Sequence, residues 1–230
     1  LDLELGRGGF LVVTGPNGSG KTTLLHIAAG LLRPDGGSAL VLGHPAGSRA
    51  ARASVALVPD EPSGFDELTV AEYVNLVQAL WKAPSAATAR AEVLAAGFGL
   101  GPRLGVRLGS LSRGLRRQVS AVAALSLAPP LLLIDEASAT LDPEAVVVLR
   151  EAVRALAARG SAVLLATQDL HFAEVACDDV VLLAAGRELE RGSPSQLCDR
   201  HEVESLEDVF LIVLGEHALA ERVRGGLAAL

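Results

Sequence analysis

The sequence lacks a segment long and apolar enough to cross a membrane. Its longest uncharged run, residues 119–134, is shorter than the about 20 apolar residues that span a bilayer, and Pro129 and Pro130 interrupt it. We interpret this run as a buried helix followed by a buried strand. No N-terminal stretch has a basic region, an apolar region and a cleavage site in order. We therefore expect the chain to be soluble by itself, although apolar residues make up 50% of it.

Concentrated positive charge and cysteine are also scarce. The formal net charge is -7, and the one cluster of basic residues is Arg113, Arg116 and Arg117. This gives no electrostatic footprint for DNA or RNA, so we expect no nucleic acid among the partners. The two cysteines, Cys177 and Cys198, match no metal-ligand or redox spacing. We interpret them as free thiols in a reducing compartment.

Short apolar runs alternate with amphipathic stretches along most of the chain. The runs are residues 10–13, 39–42, 55–58, 131–134, 162–166 and 180–183. Apolar on both sides, they favour strands buried on both faces of a parallel sheet. Helices are predicted at 22–30 and at 143–159, where Asp142 is the N-cap and Pro143 the first helical residue. This alternation predicts an α/β fold.

The middle of the chain, residues 62–128, has helical patterns and no convincing strand. Thr69 and Glu72 have the spacing of a capping box and open a helix towards Trp81, and further helices are predicted at 86–96 and 113–127. We therefore predict a helical subdomain inserted into a core of residues 1–60 and 129–192. The tail, residues 193–230, contains two short amphipathic segments.

A phosphate-binding loop is the most specific motif. Residues 15–22 fit G-x-x-x-x-G-K-[ST] in full, and they follow an apolar strand and open a helix. Such a loop points backbone N–H groups at phosphate oxygens; Lys21 would neutralise the outer phosphates and Thr22 would hold Mg²⁺. We predict ATP and Mg²⁺ as ligands; the alternative is a Gly-rich turn that only caps a helix. The predicted nucleotide-binding residues here are Gly15, Pro16, Asn17, Gly18, Ser19, Gly20, Lys21, Thr22 and Thr23.

Two acids follow the apolar run at 131–134. Asp135 would lie beside the phosphate loop and bind Mg²⁺, because the carboxyl ends of parallel strands share one edge of a sheet. Glu136, one residue further, would orient or deprotonate the attacking water. The alternative is that these are acidic turn residues, which often follow strands.

The ordered motifs resemble those of ATP-binding subunits of ABC transporters over nearly the whole chain. Residues 111–118 stand where that family has its LSGGQ signature, 138–143 resemble its dimer-contacting D-loop, and 166–170 resemble its switch region. Residues 205–210 resemble the tail of a subgroup that exports drugs, sodium or polysaccharides through a separate membrane polypeptide. The resemblance implies that residues 1–230 form one ABC-type ATPase domain with a P-loop NTPase core, a mostly parallel sheet and an inserted helical subdomain.

The resemblance also implies a set of partners. Two subunits, as a homodimer or heterodimer, would close head to tail, and Ser112 and Gly114 of each would bind the nucleotide held by the other. A transmembrane permease subunit would hold this cytoplasmic pair at the inner face of the cell membrane. From the residues alone, Ser112 could equally be an ordinary helix N-cap.

The sequence departs from the family pattern at several positions. Gln168 replaces the switch histidine that contacts the outermost phosphate, and it hydrogen-bonds without carrying charge. Asp60 replaces the usual Gln near Mg²⁺, where a carboxylate can still bind the metal. Arg113 and Leu115 alter the signature, and Ala137 replaces a proline. We predict Glu136 and Gln168 as catalytic residues and Thr22, Asp60 and Asp135 as metal ligands.

Three functions are consistent with these patterns. The first is an ATPase that powers transport, in the direction of export, through a separate membrane subunit. The second is a nucleotide-binding regulatory module with little hydrolysis, which Gln168 and Asp60 motivate. The third is a soluble ABC-type ATPase that acts on nucleic acid or ribosomes, against which the net charge of -7 argues.

Overall fold

The computed structural model describes residues 1–60, 64–136 and 141–215. Part of the stretch that resembles the D-loop, the Ala137 substitution and the end of the predicted tail lie outside the described residues. The strands are β1 Phe10–Thr14, β2 Leu40–Val41, β3 His44–Pro45, β4 Val55–Val58, β5 Leu131–Asp135, β6 Ala162–Ala166, β7 Asp179–Ala184 and β8 Arg187–Gly192. The helices are α1 Lys21–Ala28, α2 Arg49–Arg52, α3 Val70–Leu80, α4 Ala86–Gly97, α5 Arg113–Ser126, α6 Pro143–Ala157, α7 Leu170–Ala176, α8 Pro194–His201 and α9 Leu206–Val213.

A six-stranded sheet runs through the core in the order β4-β5-β6-β1-β7-β8. The first five strands pair in parallel, and β8 is antiparallel to β7. The predicted α/β fold with a mostly parallel sheet is therefore confirmed. Every residue of β1 and β6 is buried, as expected for strands covered by helices on both faces.

Alternate residues of β1 enter two separate cores. Phe10 and Val12 pack with α5 and α6 on one face, whereas Leu11 and Val13 pack with Leu25 of α1 on the other. This follows from the two-residue period of a strand. Full burial of each such side chain stabilises the fold by about 1.5–3 kcal/mol, so the two faces together fix the sheet between its helices.

The prediction of a sheet strand at 39–42 is wrong. Only Leu40–Val41 is extended, and it pairs antiparallel with β3 in a separate two-stranded ribbon. The turn between them has positive φ at Leu42 and at Gly43, where glycine makes the tight reversal possible. Leu40 remains 62% exposed, so this apolar run is a hairpin arm and not a core strand.

The strand β8 was not predicted because it is rich in charged residues. Arg187, Glu188, Glu190 and Arg191 interrupt any apolar pattern, and β8 lies at the edge of the sheet, where charged side chains discourage pairing with another chain. The short helices α2 and α7 were also not predicted. The other predicted helices are present with small shifts at their ends, and the described part of the tail contains the two short helices α8 and α9.

Helix α5 joins the helical segment between β4 and β5 to the sheet. It packs against α3 and α4 on one side and against β4 on the other. The predicted capping box of α3 is present: Thr69 Oγ1 accepts from Glu72 N, and Glu72 Oε2 accepts from Thr69 N. From Arg117 to Ser126 every residue of α5 is buried, which explains the long uncharged run that starts at residue 119.

That run is a buried helix and a buried strand, as predicted. Across residues 1–60, 64–136 and 141–215, no helix combines the length and the apolar character that crossing a membrane requires. Both cysteines are free and half-buried. Burial, with the nearby charge of Asp178, raises the pKa of the Cys177 thiol to about 12, so this thiol is protonated at neutral pH.

Candidate functional site

The sheet brings the phosphate loop, Asp135, Glu136 and Gln168 to one edge. The phosphate loop follows β1, Asp135 ends β5, and Thr167 and Gln168 follow β6, and these three strands are adjacent and parallel. Their carboxyl ends therefore converge, which is where open α/β sheets bind ligands. More than 100 residues separate the phosphate loop from Asp135 in the sequence. The pairing of Asp135 with Ala166 places Asp135 and Glu136 beside the residues that follow β6.

The backbone of the phosphate loop requires glycine at its start. Gly15 has φ +156, and a Cβ there would lie 1.9 Å from the Leu183 carbonyl oxygen of β7. At the other end Gly20, with φ 106, is the N-cap of α1 and has no side chain to block the first free N–H groups of the helix. The loop thus turns tightly against the sheet and presents a helix N-terminus, as a phosphate cradle requires.

Lys21 lies inside this loop. Its side chain is buried, and its Nζ donates to the carbonyl oxygens of Gly15 at 2.8 Å and of Pro16 at 3.1 Å. Burial lowers the pKa of Lys21, and the negative charges of Glu136 and Asp135 act against this lowering. The ammonium group therefore sits where an anion entering the loop would meet an incompletely hydrated cation.

A hydroxyl and a carboxylate meet beside the loop. Thr22 Oγ1 donates to Asp135 Oδ1 at 3.1 Å, and Asp135 is 6% exposed. Oxygen ligands of this kind, few in number and next to a phosphate cradle, fit Mg²⁺, which keeps several of its waters and bridges protein to phosphate. Ser19 Oγ, also in the loop, is buried and accepts or donates no hydrogen bond among the described residues.

The backbone of Glu136 has an unusual conformation. Its φ is 50, a left-handed value that costs a non-glycine residue energy and is concentrated at functional sites. The Glu136 N–H donates to the Ala166 carbonyl oxygen at 2.8 Å, which fixes the turn against β6. The side-chain carboxylate accepts from Thr167 Oγ1 at 2.9 Å and from the Gln168 N–H at 3.1 Å. Glu136 is thus held in place from both its backbone and its carboxylate.

Gln168 connects the switch segment to the phosphate loop. Its Nε2 donates to Asn17 Oδ1 at 2.8 Å, while its own N–H bonds Glu136. Sequence reasoning did not single out Thr167, which donates to Glu136 and accepts from the Asp169 N–H at 3.0 Å. The available signal was its position: a hydroxyl directly after β6 must fall beside the residue that follows β5.

Ser112 and Gly114 take no part in this hydrogen-bond network within the described residues. Ser112 is the N-cap of α5, and its Oγ accepts from the Leu115 N–H at 3.3 Å. No hydrogen bond links either residue to the phosphate loop in the parts of the chain that the structure describes. They lie at the start of a 14-residue helix, and Ser112 is exposed. Their role in binding the nucleotide of a second subunit stays a prediction.

Asp60 has arginine partners on α5. Arg113 Nη2 lies 3.4 Å from Asp60 Oδ2, and Arg117 Nη2 contacts Asp60 Oδ1 and the Asp60 carbonyl oxygen. The Thr22–Asp135 pair, in contrast, makes no hydrogen bond with Asp60 within the described residues. The structure thus pairs Asp60 with α5, the signature helix, which begins within the signature-like residues 111–118. The role of Asp60 as a metal ligand stays a prediction.

Comparison with known proteins gives one consistent family. The model of the ABC transporter family matches residues 1–139. The sequence is 37% identical to the Nod factor export ATP-binding protein I of Bradyrhizobium diazoefficiens over 87% of this chain and 67% of that protein. It is 36% identical to the daunorubicin/doxorubicin resistance ATP-binding protein of Streptomyces peucetius over 86% of this chain and 61% of that protein. The chain therefore spans about two thirds of the length of these relatives.

The solved structures give the same result. A structure described as the ATP-binding subunit of an ABC transporter superposes with a TM-score of 0.86 and 29% identity, covering 92% of this chain and 90% of that one. A nucleotide-free ATP-binding cassette from an ABC transporter superposes with a TM-score of 0.68 at 20% identity, which supports the fold alone.

Proposed function

The chain belongs to the ABC transporter family as an ATPase subunit, and we propose that it binds Mg·ATP and hydrolyses it to drive export through a separate transmembrane subunit. ATP-binding subunits of this family work with transmembrane subunits. One observation carries the proposal: a chain of hydrogen bonds joins Asn17 through Gln168 to Glu136, so the phosphate loop and the candidate base form one unit. The residues of the site supply a distinct role at each step.

The first role is binding. Backbone N–H groups of the loop and the start of α1 receive the phosphates, and Lys21 adds the charge that opposes theirs. Thr22 and Asp135 would hold Mg²⁺, which would supply positive charge against that of the phosphates. Asp60 is a further candidate ligand once its carboxylate leaves its arginine partners.

The second role is activation of water. Glu136 accepts a proton from the attacking water, and Thr167 and the Gln168 N–H fix the carboxylate that does so. Gln168 Nε2 donates to Asn17 Oδ1 of the phosphate loop. These bonds hold the acceptor on rigid strand ends, so little rearrangement accompanies the reaction.

The third role is dimerisation. Two subunits close head to tail, and Ser112 and Gly114 of one complete the phosphate cage of the other. Closure on ATP and reopening after hydrolysis drive the membrane partner. The proposal therefore places this chain on the cytoplasmic side of the cell membrane, through its permease. The names of the relatives, a Nod factor exporter and a drug-resistance protein, support export over import.

Single-turnover hydrolysis separates this function from its rival. A regulatory module would bind nucleotide and leave it intact, and Gln168 in place of histidine favours that alternative. With protein in excess over Mg·ATP labelled at the γ-phosphate, we expect about one phosphate released per nucleotide bound, as an ATPase requires. Bound nucleotide recovered unchanged would support the regulatory module and refute hydrolysis.

Substitution of Gln168 tests the switch residue in two directions. We expect Gln168→His to raise turnover about tenfold, because a preorganised donor at developing charge is worth about 10²–10³ in rate and Gln already supplies part of it. The rate should also become pH-dependent near about 6.5, where an unperturbed histidine titrates.

The matched variant is Gln168→Ala, which removes the bond to Asn17 and should lower turnover. Phosphate release measured across pH for all three proteins decides the matter. Identical rates and profiles would mean that residue 168 does not contact the nucleotide.

A further inference from the structure

A buried arginine lies at the acidic end of the site. The side chain of Arg117, from the first turns of α5, is 1% exposed. Its Nε donates to the Asp60 carbonyl oxygen at 3.1 Å, and its Nη2 contacts the same oxygen and Asp60 Oδ1. A buried cation needs such partners, because an uncompensated charge in the interior is strongly destabilising. Both the backbone and the side chain of Asp60 are thereby attached to α5.

Acids follow two neighbouring strands here: β4 pairs in parallel with β5 and Val58 lies opposite Ile134, so Asp60 and the Asp135–Glu136 pair leave the sheet at the same edge. Arg113 as well as Arg117 contacts Asp60. Burial lowers the pKa of the Arg117 guanidinium, and the charges of Glu136 and Asp135 act against this lowering. The same two acids act on Lys21. Arg117 therefore interacts electrostatically with Asp135 and Glu136 and also contacts Asp60. It does so from α5, whereas Lys21 lies on α1.

We propose that Arg117 is a positioning residue of this ATPase: it keeps Asp60 neutralised on the signature helix, so that the acid at position 60 does not add uncompensated negative charge beside the Thr22–Asp135 pair. The inference rests on the proposed function. In the nucleotide-free protein Arg117 gives Asp60 a cationic partner, so that an acid can follow β4 next to the strand that ends in Asp135.

Removing the two partners one at a time has opposite effects. Arg117→Gln leaves Asp60, Asp135 and Glu136 with fewer counter-charges, so the KM for Mg·ATP should rise about tenfold while kcat changes less. Nucleotide-free protein should bind a divalent cation more tightly. Asp60→Asn removes one acid, so both quantities should shift in the other direction. The double variant should restore both to within about twofold of wild type, because neighbouring charges are coupled.

The experiment measures KM, kcat, melting temperature and binding of Mn²⁺ without nucleotide, using electron paramagnetic resonance. Arg117→Lys retains the charge and should rescue KM and Mn²⁺ affinity, even where its single ammonium group makes fewer bonds than the guanidinium. If Arg117→Gln does not fold, two variants still test the proposal. Asp60→Asn should lower KM and weaken Mn²⁺ binding, and Arg117→Lys should leave both close to wild type. The control is Arg107→Gln, which breaks an exposed pair with Glu67 at 3.3 Å and should change neither KM nor Mn²⁺ binding.

A purely structural role gives a different result. Both single variants would then lower the melting temperature and change KM in the same direction, with Mn²⁺ binding unaltered, and the double variant would be no better than either. That pattern would overturn the proposal. Wild-type protein that hydrolyses no ATP would refute the proposed function. Because Mn²⁺ binding is measured without ATP, the changes in Mn²⁺ affinity would still test the role of Arg117.

Discussion

The Glu136→Gln variant is expected to bind Mg·ATP as tightly as wild type, to hydrolyse it at least about 10²-fold more slowly and to accumulate as an ATP-bound dimer. The amide keeps the size of the side chain and can still accept from Thr167 Oγ1, but it cannot take a proton from water. Binding should survive because Lys21, Thr22 and Asp135 are unchanged. Size-exclusion chromatography with Mg·ATP and single-turnover phosphate release measure the two effects.

The matched control for this variant is Glu92→Gln, which changes an exposed carboxylate on α4 by the same chemistry. It should elute and hydrolyse as wild type does. If Glu136→Gln instead remained monomeric with ATP and turned over normally, Glu136 would not be the base, and the left-handed turn that presents it would need another explanation.

The second large effect is expected from Lys21→Ala, which should weaken ATP binding by at least about 100-fold. The ammonium group is largely withdrawn from water and would face the phosphates of bound ATP. Leaving one charge of a buried pair without its partner typically costs about 2–5 kcal/mol. Fluorescence titration with a labelled nucleotide analogue gives the dissociation constant for both proteins.

Lys82→Ala supplies the comparison, since Lys82 is exposed at the end of α3. It should bind nucleotide normally, and the melting temperatures of both variants show whether the fold is retained. Undiminished affinity in Lys21→Ala would contradict the assignment of residues 15–23 as the phosphate loop.

Local patterns in the sequence were enough to place the loop of residues 15–20 between a strand and a helix, and to place Asp135 and Glu136 at the end of β5. In both cases a short motif and its adjoining strand determine the geometry, because Gly15, Lys21 and Asp135 are positioned by residues next to them in the chain. The sheet strands were predicted for the same reason where burial on both faces gives an apolar run. Residues 39–42 show the limit: an apolar run with Gly43 in its turn forms a hairpin as readily as a core strand.

Contacts between distant residues could not be predicted in this way. The bond between Gln168 and Asn17 spans 151 positions, and the pairing of Arg117 with Asp60 spans 57. Each depends on which strand ends are neighbours and on how α5 packs against β4, which the order of motifs does not specify. For this reason Thr167 and Arg117 were not identified from the sequence, although both are buried next to the candidate site.

The register of β5 against β6 limits where residues can be inserted or deleted during evolution. Leu131 pairs with Ala162 and Asp135 with Ala166, so gain or loss of one residue inside β5 would turn every side chain after it to the opposite face. Asp135 would leave Thr22, and the acid after it would leave Thr167. In-frame insertions and deletions should therefore accumulate among descendants of this gene in the segments that join strands to helices, such as residues 31–39, and be eliminated within residues 131–136.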